Sequence, residues 1–314
     1  MVKQINSVAL IGVGSIGGFI ASRLLPALGA ENFRIIAEGA RRERIERDGF
    51  IINGQRIDFP IVTPTEKVEP ADLVLIAVKH TALDEAIEQI ANQVGPDTII
   101  MSLLNGIDSE AKVAARYGEK HLLHSFMRIT AGMIGNRIDY KPDAGVVFFG
   151  EKGQPALSDR VLAVQSLFEK AAIPYKMPAD ILHAQWLKFM TNISENLICA
   201  VFGVGYALLQ QSKHATHLRN AAALEVIAIA NQEGIPLCQA DIEQQEQWIA
   251  NYDPAKKPST QQDIEQKRRT EIEMFAGQMV RLGQKYNIPT PVCEFLYHAI
   301  KILEQKNDGV FEEA

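Results

Sequence analysis

The chain has 314 residues, of which 47% are apolar and 22% charged, and 38 acidic against 32 basic side chains leave a net charge of −6. That is the balance of an ordinary globular protein, and it excludes the basic surface needed for sequence-independent binding to nucleic acid or anionic membrane. No run of about 18 apolar residues is present to span a bilayer, and the glycine-broken apolar stretch near the N-terminus lacks a basic leader and a cleavage site. At roughly 150 residues per domain, two domains are expected in a cytoplasmic protein.

Ser7 to Ile11 is a short β-branched, apolar run, followed by the glycine loop Gly12-Val13-Gly14-Ser15-Ile16-Gly17-Gly18 and a helical pattern from Phe19 to Leu25. A second strand follows over Phe33 to Ala37. Further strands are predicted at Leu73 to Val78, Thr98 to Leu103 and His121 to Phe126, with a helix from Leu83 to Ala91. Alternating strands and helices predict an α/β, Rossmann-type first domain with a mostly parallel sheet covered on both faces. Ser158 to Ala172 reads as an amphipathic helix, and the breaker-rich segment Ile173 to Pro178 marks the domain boundary. The dinucleotide-binding domain is therefore expected over 1–178 and an all-helical domain over 179–314.

In the second domain, one long helix is predicted from Asp180 to about Phe202, ending near Gly203. Further helices are predicted at 216–233, 239–251, 260–286 and 291–305, and the tail from Asn307 is polar. Cys199, Cys238 and Cys293 are far apart, show no metal-ligand spacing, and read as structural thiols of a reducing compartment.

Gly12, Gly14 and Gly17 form GxGxxG between a strand and a helix, the context that the dinucleotide fingerprint requires. Gly12 permits the tight turn, Gly14 lets backbone approach a pyrophosphate, and Gly17 allows close helix–strand packing. The amides of Ser15 and Ile16 then open the helix N-terminus, whose dipole favours phosphate. At the end of the second strand, Glu38 favours the ribose 2′-hydroxyl of NAD(H). Arg41 and Arg42 fit either a 2′-phosphate contact or a solvated helix face.

Lys188, Asn192 and Asn196 recur every four residues within an arc of about 80° on one stripe of the long helix. The stripe fits a polar pocket wall, with the lysine as proton donor, or a solvent-exposed polar face. Ser259 or Thr260 has the chemistry to cap the helix that follows, and Glu271 reads equally as surface charge.

Together these segments resemble the ketopantoate reductase (2-dehydropantoate 2-reductase) family from Val8 to about Ile300. The resemblance is carried by the glycine loop, Val78-Lys79, Leu104-Asn105-Gly106, Trp186-Leu187-Lys188 with Asn192 and Asn196, Ser259 to Asp263, and Thr270-Glu271-Ile272. It implies reduction of a 2-keto acid to a D-2-hydroxy acid, usually with NADPH, with ketopantoate as the substrate. It implies Lys188 as general acid and Glu271 as the acid beside the lysine and the nicotinamide ribose. Asn192, Asn196 and Ser259 are implied as substrate binders, and Asn105 as a contact to both substrate and cofactor. Lys79 and Ala131 are implied as cofactor contacts, and a homodimer is plausible.

Two departures stand out. Glu38 replaces the arginine that many members direct at the 2′-phosphate, so NAD(H) is an alternative to NADP(H). Tyr206 replaces a substrate-binding asparagine, so a D-2-hydroxyacid dehydrogenase acting on branched or aromatic 2-keto acids is the alternative activity. A noncatalytic NAD(P) sensor is a third reading.

Overall fold

The protein is described here by a computed structural model over residues 4–153 and 157–311. It forms one compact unit ending at Leu182 and a second beginning at His183.

The first unit opens with β1 (Val8–Ile11), α1 (Ser15–Leu28), β2 (Phe33–Ile36) and α2 (Gly39–Asp48). The hairpin β3 (Phe50–Ile52) and β4 (Gln55–Ile57) leads to β5 (Ile61–Val62), β6 (Leu73–Ile76), α3 (Leu83–Gln89), β7 (Ile99–Ser102) and α4 (Ser109–Tyr117). The long strands β8 (His124–Ile134) and β9 (Arg137–Gly150) precede α5 (Asp159–Lys170) and β10 (Tyr175–Lys176).

The first sheet has the order β5-β2-β1-β6-β7 and is parallel throughout. Every residue of β1, β6 and β7 is buried, as strands covered on both faces require. The chain leaves β1 for β2 on one side and returns to β6 on the other, so the strand order reverses at β1. Ligands of such sheets bind outside the carboxyl ends of the strands at that reversal.

A second sheet, β10-β9-β3-β4 with β8 paired to β9, was not expected from the sequence. It takes the predicted strand over His121 to Phe126 out of the parallel sheet: β8 begins at His124 and pairs antiparallel with β9. Residues 121–123 keep one link to the first sheet, a bridge between Leu122 and Ile100. The extended segment Ile173 to Pro178 adds β10 to β9.

The second unit is helical among its described residues. Here α6 (Ile181–Thr191) runs into a π-helical segment, Asn192–Leu197, and on into α7 (Ile198–Phe202). Gly203 stops this run in the left-handed region, at φ 66°. Then follow α8 (Ala207–Gln211), α9 (Lys213–Gln232), α10 (Gln239–Ala250), α11 (Ser259–Glu265), α12 (Ala276–Tyr286) and α13 (Pro291–Asn307). Phe189, Met190, Ile193, Val226, Met279 and Ile300 are buried in its core.

The single helix expected over 260–286 is two helices. Lys267 turns left-handed at φ 54°, and Arg268 folds back on Asp263 through its backbone N–H and its Nε. Thr270 is then tied to α13, its N–H and Oγ1 both donating to Glu304 Oε1 at 2.8 Å. A helical pattern cannot reveal a tether to a residue 34 positions away. No helix among the described residues is long and apolar enough to cross a membrane.

Candidate active site

Four of the residues singled out in the first unit lie just past the carboxyl ends of adjacent parallel strands. Gly12 follows β1, Glu38 follows β2, Lys79 follows β6 and Asn105 follows β7. Short strands that end together put these positions along one sheet edge.

The glycine loop shows why two of its glycines are required. Gly12 sits at φ 94°, and a Cβ there would meet the Ala77 carbonyl at 2.6 Å. A Cβ on Gly17 would run into the Gly12 carbonyl oxygen. Gly14 differs: a Cβ there meets nothing within 4 Å. Its open face lies at the N-cap of α1, where no side chain caps the first turn and no acidic residue opposes an anion. Ser15 and Ile16 form that first turn. This cradle fits a pyrophosphate.

Beside it, Ile36, Glu38, Arg41, Val78, Ala82 and Gln89 line a pocket. Its floor is apolar and its rim is charged. Glu38 stands at the N-cap position of α2 without a side-chain capping bond, and it accepts from Gln89 Nε2 at 2.9 Å. Arg41 makes no hydrogen bond among the described residues, whereas Arg42 is committed to Glu46 at 2.7 Å. Of the two, Arg41 is the one that lines this pocket. Lys79 is exposed at the start of a 3₁₀ turn, His80–Ala82, and Asn105 precedes Gly106 at φ 94°. The Ala131 backbone lies in β8 opposite Tyr140, in the second sheet.

In the second unit, Lys188, Asn192 and Asn196 are only 9%, 8% and 7% exposed. The stripe is buried, so it is not a solvated face. Asn196 Nδ2 donates to Asn192 Oδ1 at 2.9 Å, and Tyr206 Oη donates to Asn196 Oδ1 at 3.4 Å. Asn192 Nδ2 is buried and has no hydrogen-bond partner among the described residues. An orphaned buried donor is costly unless something supplies an acceptor. The amide pair sits in the π-helical segment, a distortion common at functional sites.

Here α11 packs against the π-helical segment and α7. Ser259 is its first residue and is exposed, but it does not cap the helix: Pro258 is the N-cap, and no side chain caps it. Glu271 is half-buried in the turn between α11 and α12.

The sequence profile described as Ketopantoate reductase PanE/ApbA matches residues 8–154, and that of the family's C-terminal part matches residues 180–304. The chain belongs to the ketopantoate reductase family.

It is an enzyme of that family, an oxidoreductase. Two curated ketopantoate reductase relatives, each named 2-dehydropantoate 2-reductase, match nearly end to end. That of Aquifex aeolicus is 28% identical over 95% of this chain and 97% of its own. That of Nostoc sp. is 23% identical over 95% of both. The fold is shared with D-mandelate dehydrogenase in a ternary structure with NADH and anilino(oxo)acetate. That match has a TM-score of 0.84 at 22% identity and covers 96% of this chain and 99% of the other.

Some residues around these candidate positions escaped the sequence. His80 Nε2 lies 2.8 Å from Asp108 Oδ2, and both side chains are largely buried. Burial pushes the Asp108 carboxyl up, yet the His80 hydrogen bond and charge hold it below the ordinary carboxylate range. Glu195, fully buried beside Asn196, helps to raise the Cys199 thiol to about 12, although burial of the thiol is the larger cause. Neither group forms a motif in the sequence.

Proposed function

We propose that this protein reduces a 2-keto acid to a D-2-hydroxy acid with a nicotinamide cofactor, and that the substrate is ketopantoate. The observation that carries the reading is the buried run of Lys188, Asn192 and Asn196, with its orphaned Asn192 donor. Such a wall suits a small anion rich in oxygen acceptors.

The residues of the first unit fit the cofactor. The open face of Gly14 and the amides of Ser15 and Ile16 receive the pyrophosphate. The Glu38 carboxylate accepts from a ribose 2′-hydroxyl and repels a 2′-phosphate, which favours NAD(H) over NADP(H). Arg41, on the same pocket, is the group that an NADP(H) enzyme would use. Lys79, Asn105 and the Ala131 backbone serve as further cofactor contacts, and Asn105 also meets substrate.

The bound nicotinamide supplies the hydride. As the keto oxygen gains negative charge, the Lys188 ammonium stabilises it and donates a proton from Nζ. Asn192, Asn196 and Ser259 hold substrate oxygens. Glu271 acts beside the lysine and the nicotinamide ribose, the role that the family resemblance gives it.

A second reading rests on Tyr206, whose ring lies 4.6 Å from that of Tyr252 next to the amide pair. An aromatic pair in place of a polar rim favours a branched or aromatic 2-keto acid, in line with the fold shared with D-mandelate dehydrogenase. Oxidation of NADH and NADPH with ketopantoate, then with phenylglyoxylate and branched 2-keto acids, separates the two. Fastest turnover of ketopantoate supports the first reading. Fastest turnover of an aromatic or branched acid supports the second, and turnover of none overturns both.

A further inference from the structure

We infer that Tyr206 is a positioning residue that fixes the direction of the Asn196–Asn192 amide chain, so that the buried stripe ends in a hydrogen-bond donor aimed at substrate oxygen. The inference rests on the reading of this stripe as the substrate wall and adds a residue and a polarity to it.

A carboxamide presents an acceptor on one side and donors on the other, and nothing in an isolated Asn–Asn pair selects which way the pair runs. Here the chain has a defined start. The Tyr206 phenol is held protonated: burial, and secondarily the nearby Glu195 charge, push it far above its ordinary range. Its O–H donates to Asn196 Oδ1 at 3.4 Å. With that oxygen engaged, Asn196 offers its Nδ2 to Asn192 Oδ1 at 2.9 Å. Asn192 is left with Nδ2 as its outward group, buried and unsatisfied within the described protein. Reversing the chain would turn an Asn196 N–H to the phenol oxygen, leave the buried phenol proton without its acceptor among the described residues, and present an oxygen to the substrate.

Tyr206 is itself anchored at three points. Its backbone N–H donates to the Lys256 carbonyl at 3.1 Å, and the N–H of Ala207 donates to the Pro254 carbonyl at 3.0 Å. Its ring packs on Tyr252, whose carbonyl accepts from Gln210 Nε2 at 2.9 Å. The phenol is thus placed by the backbone and by packing, independently of the amides that it orients. A donor-ended wall takes a carboxylate or keto oxygen and disfavours a ligand that brings its own donor to that point.

The test is steady-state kinetics of Tyr206→Phe and Asn196→Asp with the best 2-keto acid found for the wild type, alongside thermal midpoints. Tyr206→Phe keeps the ring and removes only the hydroxyl. The carboxylate introduced by Asn196→Asp accepts from Tyr206 but cannot donate to Asn192, so it cuts the chain one link further on. Each single change is expected to raise KM for the keto acid about tenfold, and Tyr206→Phe is expected to leave kcat, KM for the cofactor and the thermal midpoint nearly unchanged. The double variant is expected to add little to either. An unchanged KM in Tyr206→Phe, additive effects in the double variant, or a fall in kcat that tracks a lowered midpoint overturns the inference. A wild type that turns over no 2-keto acid fails earlier and overturns the substrate reading on which the inference rests.

Discussion

His80 Nε2 sits 2.8 Å from Asp108 Oδ2, and this contact is the inner rung of a three-rung ladder. Asp84 pairs with Lys112 at 2.8 Å and Glu88 with Arg116 at 3.2 Å, every rung joining residues 28 positions apart. Steps of four along both partners keep α3 and α4 in phase. The outer rungs are exposed and the inner one is shielded. The shielded rung adjoins Lys79 on one side and follows Asn105 on the other, so it pins both strand-end loops.

The rungs should differ in effect. His80→Ala removes the hydrogen bond to the shielded Asp108 carboxylate, at a cost of about 1–3 kcal/mol of stability. It should also weaken NADH or NADPH binding several-fold by loosening both loops. Asp84→Ala breaks an exposed pair, should cost under about 1 kcal/mol and should leave cofactor affinity alone. Urea midpoints and fluorescence titrations with the reduced cofactor measure both quantities. Equal cofactor affinity in the two variants would refute the positioning role.

Removing the ammonium should abolish chemistry while sparing cofactor binding. Lys188→Ala is expected to lower kcat on the order of 10²–10⁴-fold, the usual range for a lost proton donor. The dissociation constant for the reduced cofactor should stay within a few-fold. Full turnover in this variant would remove Lys188 from the mechanism.

Cofactor choice should turn on one carboxylate. Glu38→Gln keeps a group for the ribose hydroxyl and removes the charge facing a 2′-phosphate. The ratio of kcat/KM for NADPH over NADH should rise about tenfold, equivalent to ~1.4 kcal/mol. Adding Arg41→Ala should cancel much of that gain. A ratio indifferent to Glu38 would mean that specificity is set elsewhere.

Acid should destabilise the first unit through His124. The ring is 8% exposed, neither of its nitrogens has a hydrogen-bond partner among the described residues, and burial holds its pKa below the ordinary 6.5. The unfolded chain therefore takes up a proton near pH 6.5 that the folded protein refuses. Stability is lost as pH falls below that value, and the loss levels off only below the folded pKa. Chemical denaturation at pH 7.5 and pH 5 should show a steeper loss for the wild type than for His124→Gln. Parallel losses in the two proteins would rule out this histidine as the source.

The sequence was most legible where candidate site residues fall within short local patterns. The glycine loop, the ends of β1, β2, β6 and β7, and the stripe from Lys188 to Asn196 all follow from short-range pattern. The second sheet was not legible, because β9 pairs with β3 from far earlier in the chain and with β10 beyond α5, and the local β8–β9 hairpin gave no sign of joining them. The break between α11 and α12 was hidden for the same reason, being held by Glu304 from α13. Spacing alone also failed to separate a buried stripe from a wet one around Asn192. That depended on what α11 and Tyr206 bring against it.

The π-helical segment has a consequence for how this protein can change. Hydrogen bonds that each reach five residues back enclose one residue more than an α-turn does. The run from Ile181 to Phe202 therefore carries slack at one place only, under the amide pair. Deleting a residue there would let the ladder close as an ordinary α-helix, leaving α6 and α7 with the faces that they now bury. A single-codon deletion in this segment would redraw the wall proposed for substrate without asking the rest of the helical core to repack.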